Sequence, residues 1–304
     1  MVNIENIKQL ALSRGCDVKE NEPMSRYTTF KIGGEAQLLV SVPSISVLKA
    51  ILMQCDKDEV PVFILGKGSN LLVSDKGIEG VVLKLEDDFK QITLVEDDTV
   101  YCGAGVSLAR LCRFALDNGL SGLEFAWGIP GSAGGAAYMN AGAYGGEMKD
   151  VLINCNHITR SGEIGSLSGE DLKLSYRHSA YTENGNIITG LSVRLKKDSK
   201  SEINRRMDEY MQRRKDKQPL EYPSAGSVFK RPEGYFAGAL IQESGLKGAS
   251  VGGAMVSPKH AGFIINAGGA SCDDVLSLIE HIKKTVKDNT GVELECEVKP
   301  VGVF

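Results

Sequence analysis

The chain has 304 residues, 42% of them hydrophobic, and a formal net charge of −4. That length allows two domains with separate cores, and the acidic balance excludes a global attraction to nucleic acid or anionic membrane. The polar start Met1-Val-Asn-Ile-Glu-Asn lacks a secretion signal and no apolar run nears the ~20 residues that span a bilayer, so a cytoplasmic protein is expected. Ile4, Ile7, Leu10 and Ala11 recur at helical spacing and predict a helix over 3–14. Gly33-Gly34 reads as a turn before a strand at Ala36–Val42, and Pro43-Ser44 as the start of a helix over Ile45–Cys55. Val60–Gly66 is an apolar strand that runs into Gly66-Lys-Gly-Ser-Asn70, with strands expected again at Leu71–Val73 and, after a turn at Gly77 and Gly80, at Val81–Leu85. Residues 91–103 predict one strand, and 106–118 a helix with Leu108, Leu111, Cys112, Ala115 and Leu116 on one face.

Beyond this point the composition changes. Gly128–Gly146 is packed with glycine and alanine, and strands are expected at Val151–Thr159 and Ile187–Leu195. Residues 199–217 are highly charged and helical; such a run is usually a solvated face and here also a plausible connector, closed by Pro219 and Pro223. A last α/β segment holds a helix near Phe236–Ser244, a strand at Phe263–Asn266 and a helix at Asp273–Asp288 that Ser271 or Asp273 would cap. The fold class is α+β. The seven cysteines form no Cys-x-x-Cys pair and no cluster with histidine, so buried reduced thiols are expected and a metal site is not.

Three side chains and two loops carry chemistry. Ser227 sits in the small-residue turn of Ser224-Ala-Gly-Ser-Val-Phe-Lys-Arg-Pro232, Arg177 in Ser175-Tyr-Arg-His-Ser179, and a carboxylate in the strand-like run Leu294–Pro300. A hydroxyl, a guanidinium and a carboxylate can manage a proton and a developing negative charge. Glycine lets backbone amides approach a ligand and form an anion-binding nest, which suits Gly66, Lys67, Gly68, Ser69 and Asn70 to a phosphate-bearing cofactor. The second loop offers Gly128, Ile129, Pro130, Gly131, Ser132, Gly134, Gly135, Asn140, Ala141 and Gly142. So many small residues imply backbone packed against something large and flat, or against a pyrophosphate. Neither loop is a P-loop or a dinucleotide fingerprint, which disfavours a kinase or a Rossmann dehydrogenase.

At this level of detail the chain resembles a known family. Leu65–Val73, Gly128–Gly145, Tyr176-Arg177, Ala225–Pro232, Ala237–Gly248 and Glu295–Lys299 occur in the order found in the UDP-N-acetylenolpyruvoylglucosamine reductases, and the likeness runs from about Thr28 to the C-terminus. The compact stretch between Tyr176 and Ser227 resembles the shorter subtype, which lacks an extra tyrosine-bearing loop. The resemblance implies a two-subdomain FAD-binding fold of the vanillyl-alcohol oxidase type plus a C-terminal α/β substrate-binding domain. The expected layout is an N-terminal helix at 1–20, an FAD-binding domain at 21–198 with subdomains 21–85 and 86–198, and a substrate domain at 199–304 whose last strand, about 297–304, returns to the FAD-binding domain.

The implied reaction belongs to the synthesis of bacterial cell-wall precursors. NADPH reduces FAD, and the enolpyruvyl ether of UDP-N-acetylglucosamine is reduced to UDP-N-acetylmuramate. By matching position, Arg177 stabilises the charge that builds on the substrate carboxylate, Ser227 delivers the proton and Glu297 stabilises or protonates the intermediate. A regular strand would point Glu295 and Glu297 the same way, so the residues alone leave both open. Lys215, Lys230 and Arg231 are candidates for the nucleotide diphosphate, with Lys217 beside them; Tyr176 and Tyr181 are candidates for other substrate contacts. No histidine occurs before His157 and the glycine loops hold no cysteine, so a noncovalent flavin is expected. A monomer is expected. Two rival readings are a flavin oxidase of the same fold and a nucleotide-sugar binding module without redox chemistry.

Overall fold

The structure, a computed structural model, describes residues 2–304. Two compact units share the chain. The first takes Met1–Glu20, Leu38–Lys67 and Gly80–Gln212; the second takes Asn21–Gln37, Gly68–Glu79 and Arg213–Phe304. The units do not follow a single linear cut at 198/199, because two early segments pack with the C-terminal third.

The first unit is built on one apolar core. Helices α1 (Glu5–Ser13) and α2 (Ile45–Lys57) bury Ile7, Ala11, Leu48, Ile51 and Leu52 in it. Ser44 caps α2 by accepting the Val47 N–H at 3.5 Å. A four-stranded sheet runs in the order Asp17–Pro23, Glu35–Val42, Ile78–Leu85, Val62–Leu65, and its last two strands are parallel. Gly80 lies inside a strand rather than in the expected turn. A Cβ there would come within 2.3 Å of the Pro61 carbonyl, so glycine permits close approach of a neighbouring backbone.

An antiparallel five-stranded sheet runs Ile164–Ser168, Leu152–Ile158, Ile187–Arg194, Thr99–Gly103, Ile92–Glu96. The expected single strand over 91–103 is thus a hairpin turning at Asp97-Asp98. Leu94 and Val95 are exposed, so its outer strand gives no inside/outside alternation to read. Helix α3 (Leu108–Asp117) buries the predicted face, and Ser107 accepts the Arg110 N–H at 3.3 Å. The glycine-rich stretch hides a short helix, α4 (Ala133–Tyr138), which follows Ser132. A further turn of helix is α5 (Tyr181–Asn184).

The charged helix α6 (Lys200–Lys217) is more than a solvated connector. Ile203 and Met207, four residues apart, are 2% exposed. Arg206 Nη2 lies 2.8 Å from buried Glu124 and 2.6 Å from Asp198. Burial alone would raise the Glu124 pKa. Hydrogen bonds from backbone amides, Arg206 and Ser121 outweigh it and hold the carboxyl below its ordinary range. Tyr210 stacks on Tyr144 with ring centroids 4.8 Å apart, which ties α6 to the glycine-rich loop.

The second unit has its own core, with Phe30, Ile32, Leu72, Val228, Ile241, Ile264, Leu278 and Val298 among its members. Its four-stranded sheet runs Ser224–Ser227, Phe263–Asn266, Ala254–Val256, Ser250–Val251. Helices α7 (Ala237–Glu243) and α8 (Cys272–Thr290) cover it. Ser271 caps α8 and forms a capping box with Asp274. A separate parallel pair joins Lys299–Val301 to Leu71–Val73. The run Leu294–Pro300 is not the continuous strand its sequence predicts. It makes one bridge, Cys296 to Phe229, then bends at Val298 before pairing resumes at Lys299. All seven cysteines are unpaired and six are buried; burial pushes the thiols of Cys102, Cys112 and Cys155 up to about 12.

Candidate active site

In the first unit two glycine loops meet. Gly66 ends the strand Val62–Leu65, and a Cβ added to it would lie 2.7 Å from Ser132 Oγ. Ser132 caps α4 by accepting the Gly135 N–H at 3.2 Å. The stretch from Gly131 is zipped to Ala104–Leu108: the Leu108 N–H donates to Gly131, the Ala133 N–H to Val106 and the Gly134 N–H to Ala104. Gly134 is required there, since a Cβ would meet Ala104 Cβ at 2.7 Å. Around this junction Gly66, Lys67, Pro130 and Gly135 are exposed, Ile129 packs against the core, and Gly128 takes a left-handed φ of +84°. Small residues at the rim and a seam that a single methyl would fill suit a flat ring system with a phosphate tail.

Some of the predicted loop residues serve the protein itself. Asn140 is fully buried at φ +45°, a conformation asparagine tolerates. Its amide donates to Glu147 Oε2 and to the Ser175 carbonyl, both at 2.9 Å, and its Oδ1 accepts the Lys149 N–H at 2.8 Å. The side chain therefore shapes the loop, and the cofactor contact expected of it would fall to backbone. The Ala141 N–H donates to Ala136, and a Cβ on Gly142 would press on Glu147.

Asn140 also holds Ser175, the residue that opens the turn carrying the guanidinium. Ser175 and His178 exchange backbone hydrogen bonds at 3.2 and 3.1 Å, leaving Tyr176 and Arg177 at the tip. Arg177 has φ +55°, a costly conformation for a residue with a long side chain. Its guanidinium carbon lies 5.1 Å from the Tyr176 ring centroid, and Nη2 reaches the Gly142 carbonyl at 3.4 Å. Tyr176 is half exposed, as a substrate contact would be.

Tyr181 is different and leaves the substrate set. It is 1% exposed; its hydroxyl donates to the Cys155 carbonyl at 3.1 Å and sits 3.0 Å from His157 Nδ1. The apolar ring fills the core and the polar tip is spent inside it. Tyr181→Phe is expected to lower stability by about 1–3 kcal/mol while leaving the substrate KM unchanged, which denaturant unfolding and steady-state kinetics on one preparation would check.

In the second unit the strand Ser224–Ser227 carries a bulge. Ser224 pairs with Ile265 and Ser227 with Phe263, so three steps on one strand face two on the other. Gly226 absorbs the extra residue at φ +79°. The bulge sets the aim of Ser227, whose Oγ donates to the Phe229 carbonyl at 3.2 Å. The next residue joins three segments: the Val228 N–H donates to Gly262 at 2.9 Å, and the Val228 carbonyl accepts the Glu297 N–H at 2.7 Å. Ser227 and Glu297 thus ride on directly hydrogen-bonded segments.

The two carboxylates left open by the sequence now differ. Glu295 is exposed and forms a close pair with the Lys230 amine. Glu297 is half-buried, and its carbonyl accepts from Asn70 Nδ2 at 3.0 Å. The pairing also occupies Lys230, a candidate diphosphate ligand. Arg231 covers the exposed Phe236 ring at 4.4 Å, and the exposed Lys215 gives its carbonyl to Lys259 Nζ at 2.7 Å. Gly68, at φ +61°, lies so close to the Tyr27 carbonyl that a Cβ would stand 2.2 Å from it; Ser69 follows half-buried.

One neighbour of Ser227 has no signal in the sequence beyond a histidine ahead of the strand Phe263–Asn266. A Cβ on Gly262 would sit 3.0 Å from His260 Cε1 and 3.5 Å from Ser227 Oγ. The Gly262 N–H donates to His260 Nδ1 at 3.1 Å, so the imidazole proton belongs on Nε2. Burial lowers its pKa against a backbone hydrogen bond that raises it, with lesser help from Lys247 and Lys217.

Comparison with known proteins decides the family. Residues 218–301 match the UDP-N-acetylenolpyruvoylglucosamine reductase C-terminal domain, and residues 36–168 match an FAD binding domain. The reductase of that name from Syntrophomonas wolfei is 51% identical over 94% of this chain and 95% of its own length. The chain belongs to the UDP-N-acetylenolpyruvoylglucosamine reductase family. The reductase from Listeria monocytogenes is 48% identical over the same shares of both chains. The crystal structure of the Thermus caldophilus reductase superposes with a TM-score of 0.81 at 38% identity, covering 94% of this chain and 98% of that one. Membership makes the protein an FAD-containing oxidoreductase with the FAD-binding and C-terminal domains of the reductase family. No helix among the described residues is long and apolar enough to cross a membrane.

Proposed function

We propose that the protein reduces the enolpyruvyl ether of UDP-N-acetylglucosamine to the lactyl ether of UDP-N-acetylmuramate, at the expense of NADPH, in peptidoglycan precursor synthesis. FAD held at the glycine loops would supply the two-electron chemistry that links NADPH to the enolpyruvyl group. Gly66–Asn70 and Gly128–Ser132 hold the cofactor, with Gly134, Gly135 and the backbone of Asn140–Gly142 supporting the second loop. The carbon–carbon π bond breaks as hydride adds at one end and a proton at the other. Charge builds meanwhile on the substrate carboxylate. Arg177 meets that charge with a planar fork already set at a strained turn. Ser227 gives the proton to the inner carbon. Glu297, on the adjoining segment, restores or reinforces the proton supply.

Tyr176, Lys215, Lys230 and Arg231 contact the nucleotide sugar. For Lys230 this requires exchanging Glu295 for a phosphate, which an exposed surface pair permits at little cost. On this reading the enzyme works in the cytoplasm as a monomer, with FAD held noncovalently. The observation that carries it is the cross-bonding of the Ser227 and Glu297 segments in a chain of this family. The test is NADPH oxidation by the yellow purified protein. Oxidation should match the enolpyruvyl nucleotide added mole for mole; rapid oxidation to peroxide that ignores the nucleotide would point instead to an oxidase.

A further inference from the structure

One residue fastens the phosphate-cradling turn to the segment that carries the acid. Asn70 closes the turn that begins at Gly66. Its side-chain amide donates to the Glu297 carbonyl at 3.0 Å, and its own carbonyl accepts the Lys299 N–H at 2.9 Å. From there Leu71–Val73 runs in parallel register with Lys299–Val301, so Asn70 is where the pairing starts. The need for a side chain follows from the backbone. The chain bends at Val298, and the Glu297 carbonyl lies between the Cys296 bridge and the ladder that resumes at Lys299. Asparagine can offer a donor from its side chain and an acceptor from its backbone at the same point.

The turn is equally fixed on its other side. Gly68 rests on the Tyr27 carbonyl, and the Thr29 N–H donates to the Gly68 carbonyl at 3.2 Å. The Glu297 N–H is held in turn by Val228, next to Ser227. A displacement of the turn is therefore transmitted to the backbone of the acid through two hydrogen bonds and a three-residue ladder.

We infer that Asn70 is a positioning residue: it locks the Glu297 backbone to the cofactor turn, so that seating the FAD phosphates also sets the acid beside Ser227. This builds on the reading of Glu297 as the acid. The coupling is measured by hydrogen exchange, a readout that does not pass through activity. Holoenzyme, flavin-stripped protein and the holo forms of Asn70→Asp and Asn70→Ala are compared over peptides covering 294–301, with α8 as an internal control. Exchange over 294–301 is expected to rise roughly five- to tenfold on stripping FAD, and by a similar factor in either holo variant, for the loss of about one net hydrogen bond. Unchanged protection of 294–301 in both variants, or a flavin response confined to 66–70, would overturn the inference. Asn70→Asp keeps the shape and replaces the donating amide with a carboxylate that cannot donate to the Glu297 carbonyl, so it reports even where the alanine variant does not fold. The catalytic arm is a double-mutant cycle with Glu297→Gln on reoxidation by the enolpyruvyl nucleotide. Non-additive losses support the coupling and additive losses contradict it. Should Glu297→Gln alone reoxidise at the wild-type rate, the role of Glu297 as acid falls, while the exchange result still decides the coupling.

Discussion

Ser227→Ala is expected to leave bleaching of the flavin by NADPH close to the wild-type rate and to slow its reoxidation by the enolpyruvyl nucleotide by about 10²–10⁴-fold, the usual range for loss of a positioned proton donor. The split between half-reactions follows from where the proton goes. NADPH delivers hydride without needing an acid, whereas the substrate half-reaction must put a proton on the inner carbon. The structure makes the variant clean. Ser227 Oγ makes one hydrogen bond, to the Phe229 carbonyl at 3.2 Å, so folding should lose no more than about 1 kcal/mol. The bulge that aims residue 227 is set by Gly226 and by the pairing of Ser224 and Ser227 with Ile265 and Phe263, which alanine preserves. Stopped-flow absorbance of each half-reaction, with melting temperature as a control, gives the answer. Equal slowing of both steps would show that Ser227 supports the flavin rather than the proton transfer.

How much of this was legible beforehand depends on the range of the interaction. Elements with local signals were read nearly to the residue: α2 from its Pro43-Ser44 start, α3 from its apolar spacing, α6 from its charged run, and the strands at Ala36–Val42 and Phe263–Asn266. Ser271 caps α8 because hydroxyl capping is a local rule. What failed was set by neighbours distant in sequence. Gly80 looked like a turn, yet it is a strand glycine made necessary by Pro61. Tyr181 looked like a substrate contact, but it opens α5 and its partners Cys155 and His157 lie on the strand Leu152–Ile158. The glycine-rich loop was read as ligand-facing throughout. The structure divides it: Gly134 and Gly146 are demanded by Ala104 and Phe125, whereas Gly135 is exposed at the rim. Composition could mark that close approach occurs there and could not say what approaches.

The choice between the two glutamates turned on the same limit, and it gives the second large effect. Alternation along a strand treats Glu295 and Glu297 alike, but the chain bends at Val298 and is bridged at Cys296, so their surroundings part. Glu295 is tied to Lys230 at the surface, where an ion pair is worth little. Glu297 is half-buried, bonded through its N–H to the residue after Ser227 and through its carbonyl to Asn70. Glu297→Gln keeps the volume and removes the transferable proton. It should slow substrate-driven reoxidation by about 10²–10³-fold. Glu295→Gln should stay within about threefold of wild type, with its main effect on KM through the freed Lys230. Measured together in single-turnover reoxidation, the two variants discriminate sharply: a crippled Glu295→Gln beside a competent Glu297→Gln would move the acid two residues upstream and detach it from the segment bonded to Val228.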